Sequence, residues 1–142
     1  MVVKINKQIA LDWVDSNREH LVQISDKIWR LAEVGMQEYE SSKVLIDCLE
    51  ENGFTVEKGV AGMPTAFVAT YGQGKPEVGI TAEYDALPEI SNKVVPYRDP
   101  LVEGGPGHGC GHNAFGAACV GAAIGVKEAI DKEGVKLSLI HI

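Results

Sequence analysis

The sequence has few cationic and few aromatic side chains, and it contains no long apolar run. Its 13 lysines and arginines are outnumbered by 20 aspartates and glutamates, which gives a formal net charge of −7. An acidic surface repels phosphate backbones, so we expect no nucleic-acid partner. The longest weakly polar segment, 114–126, has 13 residues, whereas a membrane-spanning helix needs about 20. We therefore expect no membrane partner either.

Cysteines are also few, and no targeting signal is visible. The three cysteines, Cys48, Cys110 and Cys119, are an odd number and lack the spacing of a disulfide framework. The first residues do not show the basic segment followed by an apolar one that a secretory signal requires. These features predict a cytoplasmic protein whose cysteines are thiols, or thiolates bound to a metal.

Hydrophobic periodicity predicts a chain of alternating helices and strands. Residues 4–33 are expected to form one helix or two that stop near Gly35, and a further helix is expected at 38–52 with Gly53 after its end. The predicted strands cover 55–60, 65–72, 76–85 and 135–140. This order of elements favours an α/β layered domain.

One more helix is predicted at 113–132, after a long loop rich in proline and glycine. Asn113 is expected to cap its N-terminus, and Gly134 is expected to end it. The helix is rich in glycine and alanine, and such small residues would allow it to approach a sheet closely.

A pair of acidic residues closes the third predicted strand. Glu83 and Asp85 are two residues apart, so they are expected on one face of the strand. Open α/β sheets bind ligands at the carboxyl ends of their strands. Neighbouring carboxylates repel each other, and a metal ion or a hydrogen-bonded histidine would relieve that repulsion. A pair of solvated acids is the alternative that the local pattern leaves open.

The segment GHGCGHNAFGAA, 107–118, places two histidines and a cysteine among glycines. Thiolate and imidazole groups are good ligands for zinc and related divalent ions. Glycine lets the backbone fold tightly, and the N-terminus of the following helix favours a thiolate. Cys110 and His112 are therefore candidate metal ligands, and His108 is a candidate third ligand or a group that supports the other two.

Three other interpretations of this segment are weaker. A cysteine nucleophile with His112 as its base needs a third orienting group and leaves Glu83 and Asp85 unexplained. A phosphate cradle is disfavoured because GGPGHGCGH does not fit G-x-G-x-x-G in any register. A structural zinc knuckle needs four ligands at regular spacing, and the sequence has no second cluster of cysteine and histidine.

Taken in order, three stretches resemble the aminoacylase/carboxypeptidase-type (zinc-exopeptidase-like) metallopeptidase family. The stretches are ENGFTVEKGVAGMPTAFVATYGQGKP (51–76), AEYDALPEIS (82–91) and GHGCGHNAFGAA (107–118). The resemblance extends from about residue 20 to 137, and it is strongest to the amidohydrolase branch, on its p-aminobenzoyl-glutamate side.

The resemblance implies a fold and a set of site residues. The fold would be the N-terminal part of a three-layer α/β/α catalytic domain, truncated here. Two divalent metal ions, Mn²⁺ or Zn²⁺, would serve the complete enzyme, with Cys110 and His112 as ligands. Asp85 would be the catalytic-site residue that orients a metal-binding histidine. Glu83 stands where some relatives carry a ligand histidine, which makes it a weaker assignment.

The resemblance also implies an activity, namely metal-assisted hydrolysis of an amide between an acyl or aroyl group and an amino acid. The leading candidate substrate is p-aminobenzoyl-glutamate, and a dipeptide or another N-acyl amino acid is the alternative. The family's catalytic glutamate and later ligand histidines match no position here. Residues 1–137 are thus expected to be a fragment that is inactive alone, from an enzyme that forms a homodimer or hetero-oligomer.

Two expectations concern the extent of the chain. The final residues LSLIHI match a translated transposon end used in sequencing libraries, so 138–142 are interpreted as a non-native read-through tail. A natural strand is the alternative, since the alternation of the segment fits one. The rival to the enzyme hypothesis is a non-enzymatic metal-binding module that is complete at this length.

Overall fold

The computed structural model describes residues 6–141. Their helices are α1 (Lys7–Ser16), α2 (Arg18–Leu31), α3 (Tyr39–Glu51) and α4 (His112–Glu133), with one 3-10 turn at Val60–Gly62. Their strands are β1 (Thr55–Lys58), β2 (Phe67–Gly72), β3 (Glu77–Ile80) and β4 (Ser138–His141). Within this range, no helix combines the length and the apolar character needed to cross a membrane.

The predicted first helical stretch is two helices, divided at Asn17. The side chain of Asn6 caps α1 by accepting a hydrogen bond from the backbone N–H of Gln8. The prediction that Gly35 stops the second helix is wrong, because α2 ends at Leu31 and Ala32 takes the left-handed conformation, with φ of 45°. Residues 4 and 5 of the predicted helix lie outside the described residues.

Helix α3 follows the prediction closely, and Glu33, which precedes the helix by six residues, caps its N-terminus. The carboxylate of Glu33 accepts hydrogen bonds from the backbone N–H groups of Glu40 and Ser41, at 3.1 and 2.7 Å, and from the Ser41 hydroxyl at 2.6 Å. At the other end Gly53, with φ of 85°, follows the cap residue Asn52 as expected.

The four strands form one mixed sheet in the order β1-β2-β4-β3. Strand β2 pairs antiparallel with both β1 and β4, whereas β3 and β4 are parallel. The prediction that the third strand extends over 76–85 is wrong, since β3 ends at Ile80. Glu83 and Asp85 therefore lie beyond the sheet ladder, and contacts outside the sheet must hold them.

Helices α3 and α4 pack on one face of the sheet, and α1 and α2 pack against α4. Side chains from α2, α3 and α4 form a single apolar core with that face, and its members include Ile28, Leu45, Leu49, Val120, Ile124, Phe67, Ala69 and Leu139. On the opposite face, Thr55, Thr70 and Gly79 are exposed. The predicted α/β class is confirmed, and residues 6–141 provide one helical layer and the sheet.

Helix α4 begins one residue earlier than predicted. Its N-cap is Gly111 in a left-handed conformation, with φ of 78°, so the prediction of Asn113 as the cap is wrong. The buried Asn113 amide instead donates hydrogen bonds to the hydroxyl and the carbonyl of Ser25, at 3.0 and 3.3 Å, which ties α4 to α2. Gly134, with φ of 61°, ends the helix as expected.

The glycines of α4 allow a close approach of other helices more than of the sheet. A Cβ atom on Gly121 would lie 2.8 Å from Cδ1 of Leu21 in α2. On Gly125 it would lie 2.9 Å from the carbonyl oxygen of Ala10 in α1. The expectation of a close approach is therefore correct, but the partner is the pair of N-terminal helices that packs over α4.

The segment 138–141 forms a strand in the interior of the sheet, between β2 and β3. Its alternate residues Leu139 and His141 are buried, in agreement with the alternation in the sequence. The ring of His141 stacks on Phe67, with the centroids 5.8 Å apart. The interpretation of 138–142 as a non-native tail stays a prediction, and Ile142 lies outside the described residues.

Candidate functional site

The imidazole of His112 lies between two carboxylates. Its Nδ1 is 2.8 Å from Oδ1 of Asp85, and its Nε2 is 3.1 Å from Oε2 of Glu83. The side chain of His112 is 18% exposed, that of Asp85 30% and that of Glu83 66%. The structure thus joins the two sequence motifs at one point, which is open to solvent on the side of Glu83.

Three backbone contacts hold the acidic segment in place beyond the sheet. The buried Ala86 donates its N–H to the carbonyl of Glu33 at 2.7 Å. Leu87 and Gly107 exchange two backbone hydrogen bonds of 2.9 Å each. The second of these pairings ties the residues after Asp85 directly to the glycine-rich segment before His112.

The glycines around Cys110 serve close packing and a left-handed turn. A Cβ atom on Gly107 would lie 2.6 Å from the carbonyl oxygen of Ile90, and one on Gly109 would lie 2.5 Å from Cδ1 of Ile90. Gly111 has the positive φ that only glycine adopts without strain. The predicted tight loop is therefore present, and its walls are the long loop at Ile90 and the start of α4.

Cys110 is exposed, and none of the hydrogen bonds of the described residues involves its side chain. Within residues 6–141 no group of three or more histidine, cysteine, aspartate and glutamate side chains is arranged to hold a metal ion. The structure therefore brings together His112, Asp85 and Glu83, and it does not include Cys110 in a complete ligand set.

The donor atoms that are present suit part of a metal site. Imidazole and carboxylate groups are ordinary zinc ligands, and an exposed thiol can supply a third. Two ligand atoms that each lie about 2.0–2.2 Å from one zinc ion are roughly 2.8–3.6 Å apart, for angles between a right angle and the tetrahedral value. The 3.1 Å between Nε2 of His112 and Oε2 of Glu83 falls in this interval.

His108 faces helix α2. Its Nε2 is 3.1 Å from the carbonyl oxygen of Ile28, and its buried Nδ1 has no hydrogen-bond partner. Burial lowers the pKa of His108, against the effect of the Ile28 carbonyl, which raises it. The structure places this ring against α2, so its role as a third ligand or as a support for the other two ligands stays a prediction.

The other two cysteines, Cys48 and Cys119, are buried in the core. Burial raises the pKa of the Cys48 thiol to about 11, and it also raises the pKa of Cys119, whose thiol points to the carbonyl of Thr81 at 3.5 Å. A thiol held in its neutral form is a poor nucleophile and a poor metal ligand.

Sequence reasoning missed three residues that surround the acidic segment. The Tyr84 hydroxyl donates to the carbonyl of Thr65, and the Thr65 hydroxyl donates to the buried carboxylate of Glu38 at 2.6 Å. Buried glutamates are rare unless they are paired, and the amino-acid sequence around Glu38 does not indicate that this residue is buried. At Tyr84, the sequence feature that could have indicated a role is its position between Glu83 and Asp85.

Comparisons with known proteins confirm the resemblance to the metallopeptidase family. The chain is 40% identical over 124 residues to a subunit of p-aminobenzoyl-glutamate hydrolase from Escherichia coli (strain K12), a match that covers 87% of this chain and 26% of that protein. The chain thus spans about a quarter of the length of this curated relative. No protein-family model matches the chain.

Two solved structures share the fold. A putative aminohydrolase from methicillin-resistant Staphylococcus aureus superposes with a TM-score of 0.75 at 24% identity, covering 96% of this chain and 34% of that one. A Bacillus subtilis protein described as a dinuclear metal binding peptidase from the M20 family superposes with a TM-score of 0.69 at 23% identity, covering 89% and 34%. These matches confirm that the α/β architecture is that of part of a larger fold.

Proposed function

We propose that this chain, which is related to metallopeptidases of the aminoacylase/carboxypeptidase type, forms part of the active site of a metal-dependent amidohydrolase. The observation that carries the proposal is the imidazole of His112 held between Asp85 and Glu83, at 2.8 and 3.1 Å. In this proposal Asp85 is the catalytic-site residue that orients His112, and Cys110 and His112 are metal ligands. Glu83 is a further candidate ligand.

The two contacts of His112 support a cation on the side of Glu83. When Asp85 accepts a hydrogen bond from Nδ1–H, neutral imidazole presents a lone pair at Nε2. A lone pair and a carboxylate oxygen 3.1 Å apart repel each other unless a proton or a metal ion lies between them. Carboxylate partners of this kind fix the tautomer and the orientation of metal-binding histidines. The arrangement is therefore suited to a divalent ion, Mn²⁺ or Zn²⁺.

A bound divalent ion would supply polarisation of the amide carbonyl and a more acidic water molecule. The residues of this chain would have other tasks. Asp85 holds the Nδ1 proton of His112, so that Nε2 stays directed at Glu83. The 66% exposed side chain of Glu83 leaves this side of the site open to a small substrate. The buried Ala86 and the paired Leu87 and Gly107 keep the two motifs in register.

The similarity to the Escherichia coli p-aminobenzoyl-glutamate hydrolase supports p-aminobenzoyl-glutamate as the leading substrate. A dipeptide or another N-acyl amino acid is the alternative. We also propose two metal ions and a homodimer or hetero-oligomer for the complete enzyme, and a cytoplasmic location. Residues 1–137 would then be part of its catalytic domain, inactive alone, with 138–142 as a non-native tail.

Calorimetric titration of the purified 142-residue chain with Zn²⁺ and with Mn²⁺ tests the ligand assignment. We expect weak binding that falls by at least about 10-fold in Cys110→Ser and in His112→Gln, the scale on which groups of a metal site act. Cys119→Ser is the matched control, because serine keeps a donor for the carbonyl of Thr81. Equal affinities in Cys110→Ser and the unmodified chain would remove Cys110 from the ligand set.

Hydrolysis assays separate the activity from the binding. The chain alone, with either metal, is expected to release no more p-aminobenzoate from p-aminobenzoyl-glutamate than the metal alone does. Release of product above that background would refute the proposal that the chain is inactive by itself. A chain of full family length that contains these residues should hydrolyse the substrate, and should lose that activity in His112→Gln.

A further inference from the structure

We propose that Tyr84 is a positioning residue that fixes the carboxylates of Glu83 and Asp85 against His112, through a hydrogen-bonded chain that ends at the buried Glu38. The role of this series of hydrogen bonds in catalysis rests on the proposed function. The geometry does not, because it concerns contacts within the described residues alone.

The acidic segment needs an anchor of its own. Strand β3 ends at Ile80, so no ladder of hydrogen bonds fixes the backbone at Glu83 and Asp85. The side chains of Glu83 and Asp85 contact His112, whereas that of Tyr84 contacts Phe67 and Thr65. Tyr84, between the two acids, therefore points away from His112, and whatever holds its ring also sets the direction of both carboxylates.

Tyr84 is held at its ring and at its Cβ atom. It packs on Phe67 of β2, with the ring centroids 6.0 Å apart. Helix α4 approaches at Gly116, where a Cβ atom would lie 3.2 Å from Cβ of Tyr84 and 3.5 Å from the carbonyl oxygen of Glu83. Any larger residue at Gly116 would press on this segment, so the absence of a side chain there is part of the anchor.

The hydroxyl of Tyr84 fixes the remaining freedom of the ring. It donates to the carbonyl of Thr65. Burial, and then the nearby carboxylate of Glu38, raise the pKa of Tyr84, so the hydroxyl stays a proton donor across the physiological range.

Glu38 in turn holds Thr65, whose carbonyl accepts the hydrogen bond from Tyr84. Its Oε2 accepts from the Thr65 hydroxyl at 2.6 Å, and both residues are buried, at 8% and 5% exposure. A Cβ atom built on Gly35 would lie 4.0 Å from Oε1 of Glu38 and 3.9 Å from Oδ2 of Asp85. Both carboxylates therefore lie within 4.0 Å of the same point beside Gly35, and the hydrogen-bonded network from Glu38 through Thr65 and Tyr84 leads back to the segment that carries Asp85.

The test observes His112 directly, by NMR of the metal-free 142-residue chain labelled with ¹⁵N at histidine. In the unmodified chain we expect an Nδ1–H signal of His112 that is protected from exchange, because Asp85 accepts a hydrogen bond from this atom. Tyr84→Phe keeps the ring and removes the hydrogen bond to Thr65, so we expect the Nδ1–H signal of His112 to be lost to tautomer and rotamer exchange.

Tyr71→Phe is the matched control. Its hydroxyl also donates one hydrogen bond, to Asp131 at 2.5 Å, and its ring also packs on a phenylalanine, Phe54, with the centroids 5.3 Å apart. A merely structural role for Tyr84 predicts equal effects of the two variants on His112. Retention of the His112 signal in Tyr84→Phe, or its equal loss in Tyr71→Phe, would overturn the proposal.

Substitution of Glu38 gives a second test that leaves the tyrosine intact. Glu38→Gln keeps an acceptor for Thr65 and should retain the protected Nδ1–H signal of His112, whereas Glu38→Leu should lose it. If both variants retain the Nδ1–H signal, the hydrogen bond between Glu38 and Thr65 has no effect on His112. Zinc titration of the unmodified chain separates the two proposals: a fixed His112 without zinc binding sustains the positioning role and contradicts the metal site.

Discussion

The Nδ1 atom of His112 lies 2.8 Å from Oδ1 of Asp85, although the two residues are 27 positions apart in the chain. This one contact joins the acidic motif that follows the sheet to the first turn of α4. The carboxylate decides which ring nitrogen of His112 carries a proton, and hence which one can accept a cation.

Replacement of Asp85 by asparagine should uncouple this histidine. The amide can present its NH₂ group to Nδ1, which would move the ring proton to Nε2 and block that atom as a ligand. We expect zinc affinity to fall by about 10- to 100-fold, measured by competition with a chelator of known affinity. Asp47→Asn, which alters a half-exposed carboxylate paired with Lys43 on α3, is the control and should bind zinc like the unmodified chain.

Replacement of Glu33 by alanine should destabilise α3. Its carboxylate accepts hydrogen bonds from the N–H groups of Glu40 and Ser41 and from the Ser41 hydroxyl. Loss of such an N-terminal cap costs about 1–2 kcal/mol, and urea unfolding would show it as a lower midpoint. Glu57→Ala, at an exposed site on β1, should leave the midpoint nearly unchanged. Equal midpoints for the two variants would contradict the capping role.

Stability should fall in acid because of His141. This residue is fully buried, and its two ring nitrogens have no hydrogen-bond partner. Burial lowers its pKa from 6.5 to about 4. Above pH 6.5 the folded and unfolded states both carry neutral histidine. Below it the unfolded chain binds a proton that the folded chain does not, so about 3 kcal/mol of stability is lost between pH 6.5 and 4.

Replacement of His141 by leucine should raise stability and remove this dependence on pH. An unpaired buried polar group costs about 1–3 kcal/mol, and leucine fills the same space with no polar atom. We expect a higher urea midpoint at pH 7 and a smaller difference between pH 7 and pH 4.5. His20→Gln, at an exposed site, should change neither quantity. An unchanged pH dependence in His141→Leu would show that other groups cause the acid effect.

Replacement of Gly125 by alanine should destabilise the packing of α1 on α4. Alanine raises helix propensity by about 1 kcal/mol, but its methyl group would lie 2.9 Å from the carbonyl oxygen of Ala10, which is backbone and cannot turn aside. Overpacking of this kind costs about 1–3 kcal/mol, so we expect a net loss by thermal unfolding. Gly79→Ala, where a Cβ atom meets nothing within 4 Å, should show no comparable loss.

Much of the local structure could be predicted from short patterns. The helical period of Leu45, Cys48 and Leu49 places one face of α3 in the core, and the positive φ of Gly53 and Gly134 ends two helices where the sequence indicates. The choice between one and two N-terminal helices could not be made, because the break at Asn17 leaves no gap in the apolar pattern. The local sequence does not distinguish Gly111 from Asn113 as the N-cap of α4, because glycine and asparagine are both accepted at N-caps.

The site was predicted in its chemistry and only partly in its arrangement. Covalent order alone sets the residue types and their spacing, namely two acids two positions apart and a cysteine and histidines among glycines. The packed fold then places Asp85 and Glu83 on either side of His112, turns His108 to Ile28, and anchors the acids through Tyr84 and Glu38. These contacts join residues from 19 to 80 positions apart, and no local period records them, because they exist only once the helices and the sheet have packed together.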